Sequence, residues 1–270
     1  MLLFTVPSIK KKKNMTSSIE AGLRSAEIVQ RALLPKQRHF DKLFSDSFVL
    51  YKPKEILSGD FYWIGGKGDY RYIVVGDCSG HGIPAAMVTV LMLNLLEYII
   101  MNKGVTTPDN ILNELDKRYI ESFSHTQDKI PFDNPWVDLS IICINDRKRN
   151  ISFSSANRKL LHVNGKGQST VYKSNGYSLG GWQVKEKRNY TAVQFSFEEF
   201  DNLYLGSDGY QDQFGGNQTK KYGSKNLHQL LYDISPQPFV AQYQILLDEL
   251  QTWSRNEPQT DDICVLGVKL

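Results

Sequence analysis

Apolar positions along this 270-residue chain change period several times, and each change marks an element. Ile19, Leu23, Ala26, Val29 and Leu33 recur at helical intervals up to Pro35, with Ser17 and Glu20 at capping-box spacing. This predicts an amphipathic leading helix over 16–35, which either packs on the domain or uses its apolar face for a homodimer or a partner. Alternating and β-branched stretches predict strands at 48–51, 60–64 and 70–75. A long apolar helix is expected over 83–101. Thr107 and Pro108, as cap and first-turn proline, open another helix that should end near Phe123. After a polar, proline-broken loop at 125–135, strands are expected at 137–144, 151–155, 159–163, 191–197 and 203–206. Helices at 227–234 and 239–253 and a closing strand at 263–270 complete the order. Many strands with paired helices predict an α+β domain: a four-layer αββα sandwich of two mostly antiparallel sheets flanked by helices.

The run 83–101 is long enough to cross a bilayer. It contains Pro84, Asn94 and Glu97, and a charge at that depth is expensive, so it reads as a core helix and not a membrane span. Hydrophobic content of 41% and charged content of 23% fit a soluble globular chain. No internal linker breaks it, so 36–270 reads as one catalytic-size domain behind the helix and a basic tail, 1–15, expected to be disordered. The net charge of +3 is too small an excess to imply nucleic-acid binding, even though Lys10 to Lys13 concentrate it. The apolar opening precedes those lysines instead of following them, unlike a secretion signal. Cys78, Cys143 and Cys264 have no paired spacing, which fits a reducing, cytoplasmic setting.

The candidate chemistry lies in four short acidic motifs, each abutting a predicted strand end: Ser58-Gly59-Asp60, Gly76-Asp77-Cys78-Ser79-Gly80-His81-Gly82, Ser207-Asp208-Gly209 and Asp261-Asp262. A carboxylate beside glycine at a strand end can project into a cleft, although a single Asp-Gly is more often only a turn. Clustered carboxylates repel one another and call for hard divalent cations, which take oxygen ligands. No cysteine is followed by the basic phosphate cradle that a thiolate nucleophile needs. Asp138, inside an apolar strand, requires a partner: it is either a third, weaker metal position or hydrogen-bonded near the site, or else it faces outward or lies at an edge. His81, between glycines, either braces its loop or moves protons, and Asn157 reads as a turn residue.

The order of these motifs, with Ala85-Ala86-Met87, resembles the SpoIIE-like (RsbU-type) branch of the PPM, or type 2C, metal-dependent serine/threonine protein phosphatases. Supporting pieces are Gln30 to Pro35, Asp60-Phe61-Tyr62-Trp63, Ser155-Ala156-Asn157 and Asp212-Gln213-Phe214-Gly215-Gly216, so the likeness covers 26–270. The resemblance implies two Mn2+ or Mg2+ ions that activate water for attack on phosphoserine or phosphothreonine. Asp77 would bridge the ions, with Asp60 and the backbone carbonyl of Cys78 on one and Asp208 and Asp261 on the other. Asp60 and Asp77 would be the catalytic pair and Asp262 a neighbour. The implied substrate is a phosphorylated STAS-type anti-anti-sigma regulator, and the alternative is a non-catalytic scaffold of the same fold. Two departures stand out: the early acidic motif has no nearby arginine to grip phosphate, and Ser79 occupies the offset where the eukaryotic branch has a histidine.

Overall fold

The computed structural model describes residues 9–123, 135–181 and 188–270, with side chains from Ser18 onward. Helix α1 (Ile9–Leu33) and a short helix α2 (Gln37–Phe40) precede strands β1 (Asp46–Lys52), β2 (Asp60–Lys67) and β3 (Tyr70–Cys78). Helix α3 (Gly82–Glu97) continues into a π-helical turn, Tyr98–Asn102, and is followed by α4 (Pro108–Phe123). Next come β4 (Trp136–Asn145), β5 (Asn150–Ala156), β6 (Lys159–Val163), β7 (Ser169–Lys173), β8 (Leu179–Gly180), β9 (Val193–Ser196) and β10 (Asn202–Gly206). Helix α5 (Gly209–Asp212), the hairpin β11 (Phe214–Gly215) and β12 (Lys220–Lys221), helices α6 (Ser224–Ile234) and α7 (Phe239–Ser254), and β13 (Ile263–Lys269) complete the order.

The first sheet runs β1-β13-β10-β6-β7; the second runs β2-β3-β4-β5-β9, with β8 on β4. Their ladders are antiparallel. Side-chain alternation builds the layers from these sheets. On β3, Ile73 and Val75 join Ile142, Ile144 and Phe153 against Leu205, Leu266 and Val268 of the first sheet. Tyr72 and Val74 turn the other way, onto Met92, Leu96, Leu112 and Leu115 of α3 and α4. The first sheet repeats the arrangement, with Leu50, Tyr204 and Val265 under Leu231, Leu246 and Leu250 of α6 and α7. The order of layers is therefore helix, sheet, sheet, helix. Each such aliphatic side chain contributes about 1.5–3 kcal/mol on burial.

Gly82–Asn102 is long and apolar enough to cross a membrane, with a mean hydropathy of 1.9. In the fold its Ala85, Ala86, Val88, Met92, Leu93 and Leu96 are buried, and the helix packs on the second sheet as a core element.

Three expectations change. Helix α1 starts at Ile9 and not near Thr16, so helical backbone runs through Lys10 to Lys13 and Ser17 lies inside the helix. Lysine is a good helix former, and no proline stands between Ile9 and Leu33 to break the ladder. The face of α1 also rotates: Ile19, Val29 and Leu33 are exposed, while Gln30 and Leu34 are buried. Finally, β7, β8, α5 and the β11–β12 hairpin carry no period that a sequence pattern could show; β7 is mostly exposed, and the others span two to four residues. The expected loop at 125–135 lies almost wholly outside the described residues.

Candidate active site

Pairing register places the first acids. Asp60 on β2 lies directly opposite Asp77 on β3, and Asp77 lies opposite Asp138 on β4. Directly opposed residues share a face, and these three continue the stripe of Ile64, Ile73, Val75 and Ile142 that faces the first sheet. An apolar interface between sheets thus ends in a row of carboxylates.

The first sheet brings its acids to the same edge. Ser207 and Asp208 follow β10, and Asp261 and Asp262 precede β13, its hydrogen-bonded neighbour. Ser207 accepts the backbone N–H of Cys264 on Oγ at 3.0 Å and donates that hydroxyl to Oδ2 of Asp60 at 2.6 Å. Asp208 stands at the N-terminus of α5 without capping it, so its carboxylate is free for the site. Gly209 is required here by space, since a Cβ would lie 1.7 Å from the carbonyl oxygen of Asp262. Gln213 holds the segment ahead of Asp261, accepting from the N–H of Thr260 and donating to the carbonyl of Pro258, both at 3.0 Å.

Asp262 is a brace. Its oxygens accept the backbone N–H groups of Lys54 and Gly59, each at 2.7 Å, which fixes the turn before Asp60. Cys78 is buried with its thiol 3.7 Å from Thr89 Oγ1, while its carbonyl oxygen faces Gly59, 2.9 Å from where a Cβ there would stand. Gly80 and Gly82 take φ values of +84° and +70°, the left-handed turns that glycine adopts at no steric cost. Between them His81 pairs through Nδ1 with Glu55 at 2.7 Å, the loop-bracing arrangement.

The residue that sequence reasoning missed is Arg158. Strand β5 belongs to the second sheet and β6 to the first, so Asn157 and Arg158 form the crossover between sheets at the acidic edge. Nη2 of Arg158 lies 2.5 Å from Asp77 and 3.2 Å from Asp138, and Nη1 lies 3.0 Å from Asp208. Asn157, at φ +58°, donates to Asp138 at 2.9 Å, and Ser178 donates to its other oxygen. Asp138 thus finds its partners at the site. An arginine two residues past a buried strand, in a short link between predicted strands, was the available signal. No arginine stands near the early acidic motif in sequence, as read above, but one 98 residues beyond Asp60 folds back onto the acidic edge.

Electrostatics follow from this crowding. Burial, then Asp77, holds the Asp60 carboxyl well above its ordinary range. Burial pushes Asp77 up to about 8, against the pull of Arg158 and with added repulsion from Asp208, Asp261 and Asp138. Burial also raises Asp138 and Asp261. On Arg158 burial opposes the charge, yet Asp77, Asp208 and Asp138 outweigh it and raise its pKa.

Among the described residues, no three His, Cys, Asp or Glu side chains close around a common point as ligands of one ion. Asp77, Asp138 and Asp208 are arranged instead around the Arg158 guanidinium. The donor set nonetheless fits hard cations: among the described residues, carboxylates outnumber the guanidinium they surround, and Oδ1 of Asp60 is buried with no hydrogen-bond partner.

Two sheets packed face to face between helices, with carboxylates converging from both on one edge, define the PP2C-type phosphatase fold. The family model of Stage II sporulation protein E (SpoIIE) matches residues 67–270, and the chain belongs to that family. Phosphoserine phosphatase RsbP of Bacillus subtilis (strain 168) is 23% identical over 248 residues, which is 91% of this chain and 57% of RsbP. The chain therefore spans little more than half the length of that relative. The SiaA-PP2C domain of Pseudomonas aeruginosa superposes with a TM-score of 0.83 at 26% identity, covering 95% of this chain and 98% of that one. The catalytic domain of the phosphatase PstP, solved in complex with two manganese ions, shares the fold at 14% identity and a TM-score of 0.59, over 83% of this chain and 96% of that one.

Proposed function

We propose that this chain is a metal-dependent protein phosphatase that hydrolyses phosphoserine or phosphothreonine. The observation that carries this reading is the convergence of Asp60 and Asp77, opposite each other on β2 and β3, with Asp208 and Asp261 from the other sheet. Asp60, Asp77 and the Cys78 carbonyl would hold one Mn2+ or Mg2+ ion, and Asp77, Asp208 and Asp261 a second. Bound ions supply Lewis acidity toward phosphoryl oxygens and water, the chemistry that in-line phosphoryl transfer to water needs.

The chain's own residues supply placement. Ser207 locks one oxygen of Asp60 and leaves the buried Oδ1 as the oxygen that would face a cation. Asp77 sits in the middle of the row, within reach of charge from both sheets. A thiolate route is disfavoured: Cys78, Cys143 and Cys264 are buried, and burial pushes each thiol well above its ordinary pKa. Their free state suits a reducing cytoplasm.

Kinship extends the reading to a substrate, a phosphorylated STAS-type anti-anti-sigma regulator in bacterial signalling. A second reading, a non-catalytic scaffold, draws support from Arg158 standing among the acids. One experiment separates the two: manganese-dependent phosphate release from a phosphoserine peptide, abolished in Asp77→Asn, supports the enzyme, and no release by the wild-type chain supports the scaffold.

A further inference from the structure

Arg158 touches two of the four acids assigned above to metal, one from each sheet. It binds Asp77 through Nη2 and Asp208 through Nη1, on the Oδ2 atom in each case. A divalent ion held by Asp77 and Asp208 draws on those same carboxylates, and a guanidinium in contact with it would be a like charge at short range. Both cannot keep their full contacts. The third partner, Asp138, is outside the assigned ligand set and is itself fixed by Asn157 and Ser178. The side chain is 11% exposed, its Nε is buried without a partner among the described residues, and a pocket lined by Asn157, Lys159, Ser207, Gln211 and His228 adjoins it. The guanidinium therefore has an anchor, an unused donor and space beside it.

Resting on the phosphatase reading, we infer that Arg158 is the internal counter-ion of the metal-free acid cluster, displaced from Asp77 and Asp208 by divalent ions and then held by Asp138 with its freed N–H groups facing the substrate phosphoryl oxygens. Its planar fork suits those oxygens, which a lysine ammonium would meet only as a point charge. Arg158 would in this way supply the phosphate grip that the Ser58-Gly59-Asp60 motif lacks.

The test is calorimetric titration of Mn2+ into the wild-type chain, Arg158→Gln and Arg158→Lys at one pH, with steady-state kinetics on a phosphoserine peptide at saturating Mn2+. Arg158→Gln is expected to bind Mn2+ about tenfold more tightly, since no cation need be displaced, and to raise KM about tenfold, the order of one charge-assisted hydrogen bond. Arg158→Lys is expected to fall between the two in Mn2+ affinity while keeping a raised KM. Mn2+ affinity in Arg158→Gln equal to or weaker than wild type overturns the counter-ion role, as a purely structural brace would give. An unchanged KM overturns the phosphate role. If Arg158→Gln does not fold, Arg158→Lys carries both comparisons, and its equality with wild type overturns the proposal. Failure of the wild-type chain itself to take up Mn2+ or release phosphate is a different result, visible before any variant is compared, and it sinks the phosphatase reading.

Discussion

The hydroxyl of Ser207, just past the end of β10, donates to Asp60 at the start of β2 over 2.6 Å, so this hydrogen bond helps to tie the two sheets together at the acidic edge. The same oxygen accepts from Cys264 N–H at 3.0 Å, which fixes its position. Ser207→Ala leaves both oxygens of a buried carboxylate without a protein donor. Losing one such bond is expected to lower stability by about 1–3 kcal/mol and to weaken Mn2+ binding, because Asp60 is no longer oriented. Thermal melting and calorimetry check the two effects; unchanged metal affinity would show that Asp60 needs no help from the other sheet.

Gln30 ties helix α1 to the loop before Asp60. Its side chain donates to the Ser58 carbonyl at 2.7 Å and accepts from the Ser58 N–H at 3.1 Å, and both residues are buried. Gln30→Ala is expected to lower stability by about 1–3 kcal/mol and to speed amide exchange at Ser58, Gly59 and Asp60 while distant core strands stay protected. Hydrogen exchange read residue by residue decides it, and uniform exchange rates in variant and wild type would sink the coupling.

Asp262 makes a parallel prediction from the other side of the same loop. Asp262→Ala removes the acceptors of Lys54 N–H and Gly59 N–H, both at 2.7 Å. Activity toward a phosphoserine peptide is expected to fall at least about tenfold through displacement of Asp60, even though Asp262 itself is assigned no metal. Asp262→Asn, which keeps one carbonyl acceptor, should recover part of the loss. A kinetically silent Asp262→Ala would return this residue to a bystander.

Acid crowding also sets a pH dependence. Asp77 is raised in the folded, metal-free chain to about 8, whereas an unfolded aspartate titrates near about 3.9. The folded state therefore holds a proton more tightly than the unfolded one. The resulting stabilisation is complete below the unfolded value and is lost as pH rises through about 8. In chelator the melting temperature should fall across this window, and Mn2+ affinity should climb as the proton it displaces is shed. Melting curves with and without Mn2+ test this; a metal-free chain that gains stability from pH 6 to 9 would contradict it.

Alternation and helical period were enough to read β2, β3, β4, β5, β6, β10, β13 and the helices α3, α4, α6 and α7, because burial on one face writes itself into successive residues. The acidic motifs were legible for a related reason: Asp60, Asp77, Asp208 and Asp261 each stand at or beside a strand end, and Gly59, Gly76 and Gly209 mark where a side chain would strike a neighbour. Elements of two to four residues, such as β8, β11 and α5, bury too little to leave a trace.

The chain order alone specified most of the strands, the core helices and the four short acidic motifs, since these depend on neighbours a few residues apart. Folding was needed to choose which acids meet, because register sets Asp60 against Asp77 and Asp77 against Asp138, and register is a contact between segments far apart in sequence. Folding likewise turned Asp262 from a candidate neighbour into a brace and delivered Arg158 from a crossover into the middle of the cluster. Charge acts through space, over a few ångströms, and no spacing along the polypeptide reports that distance.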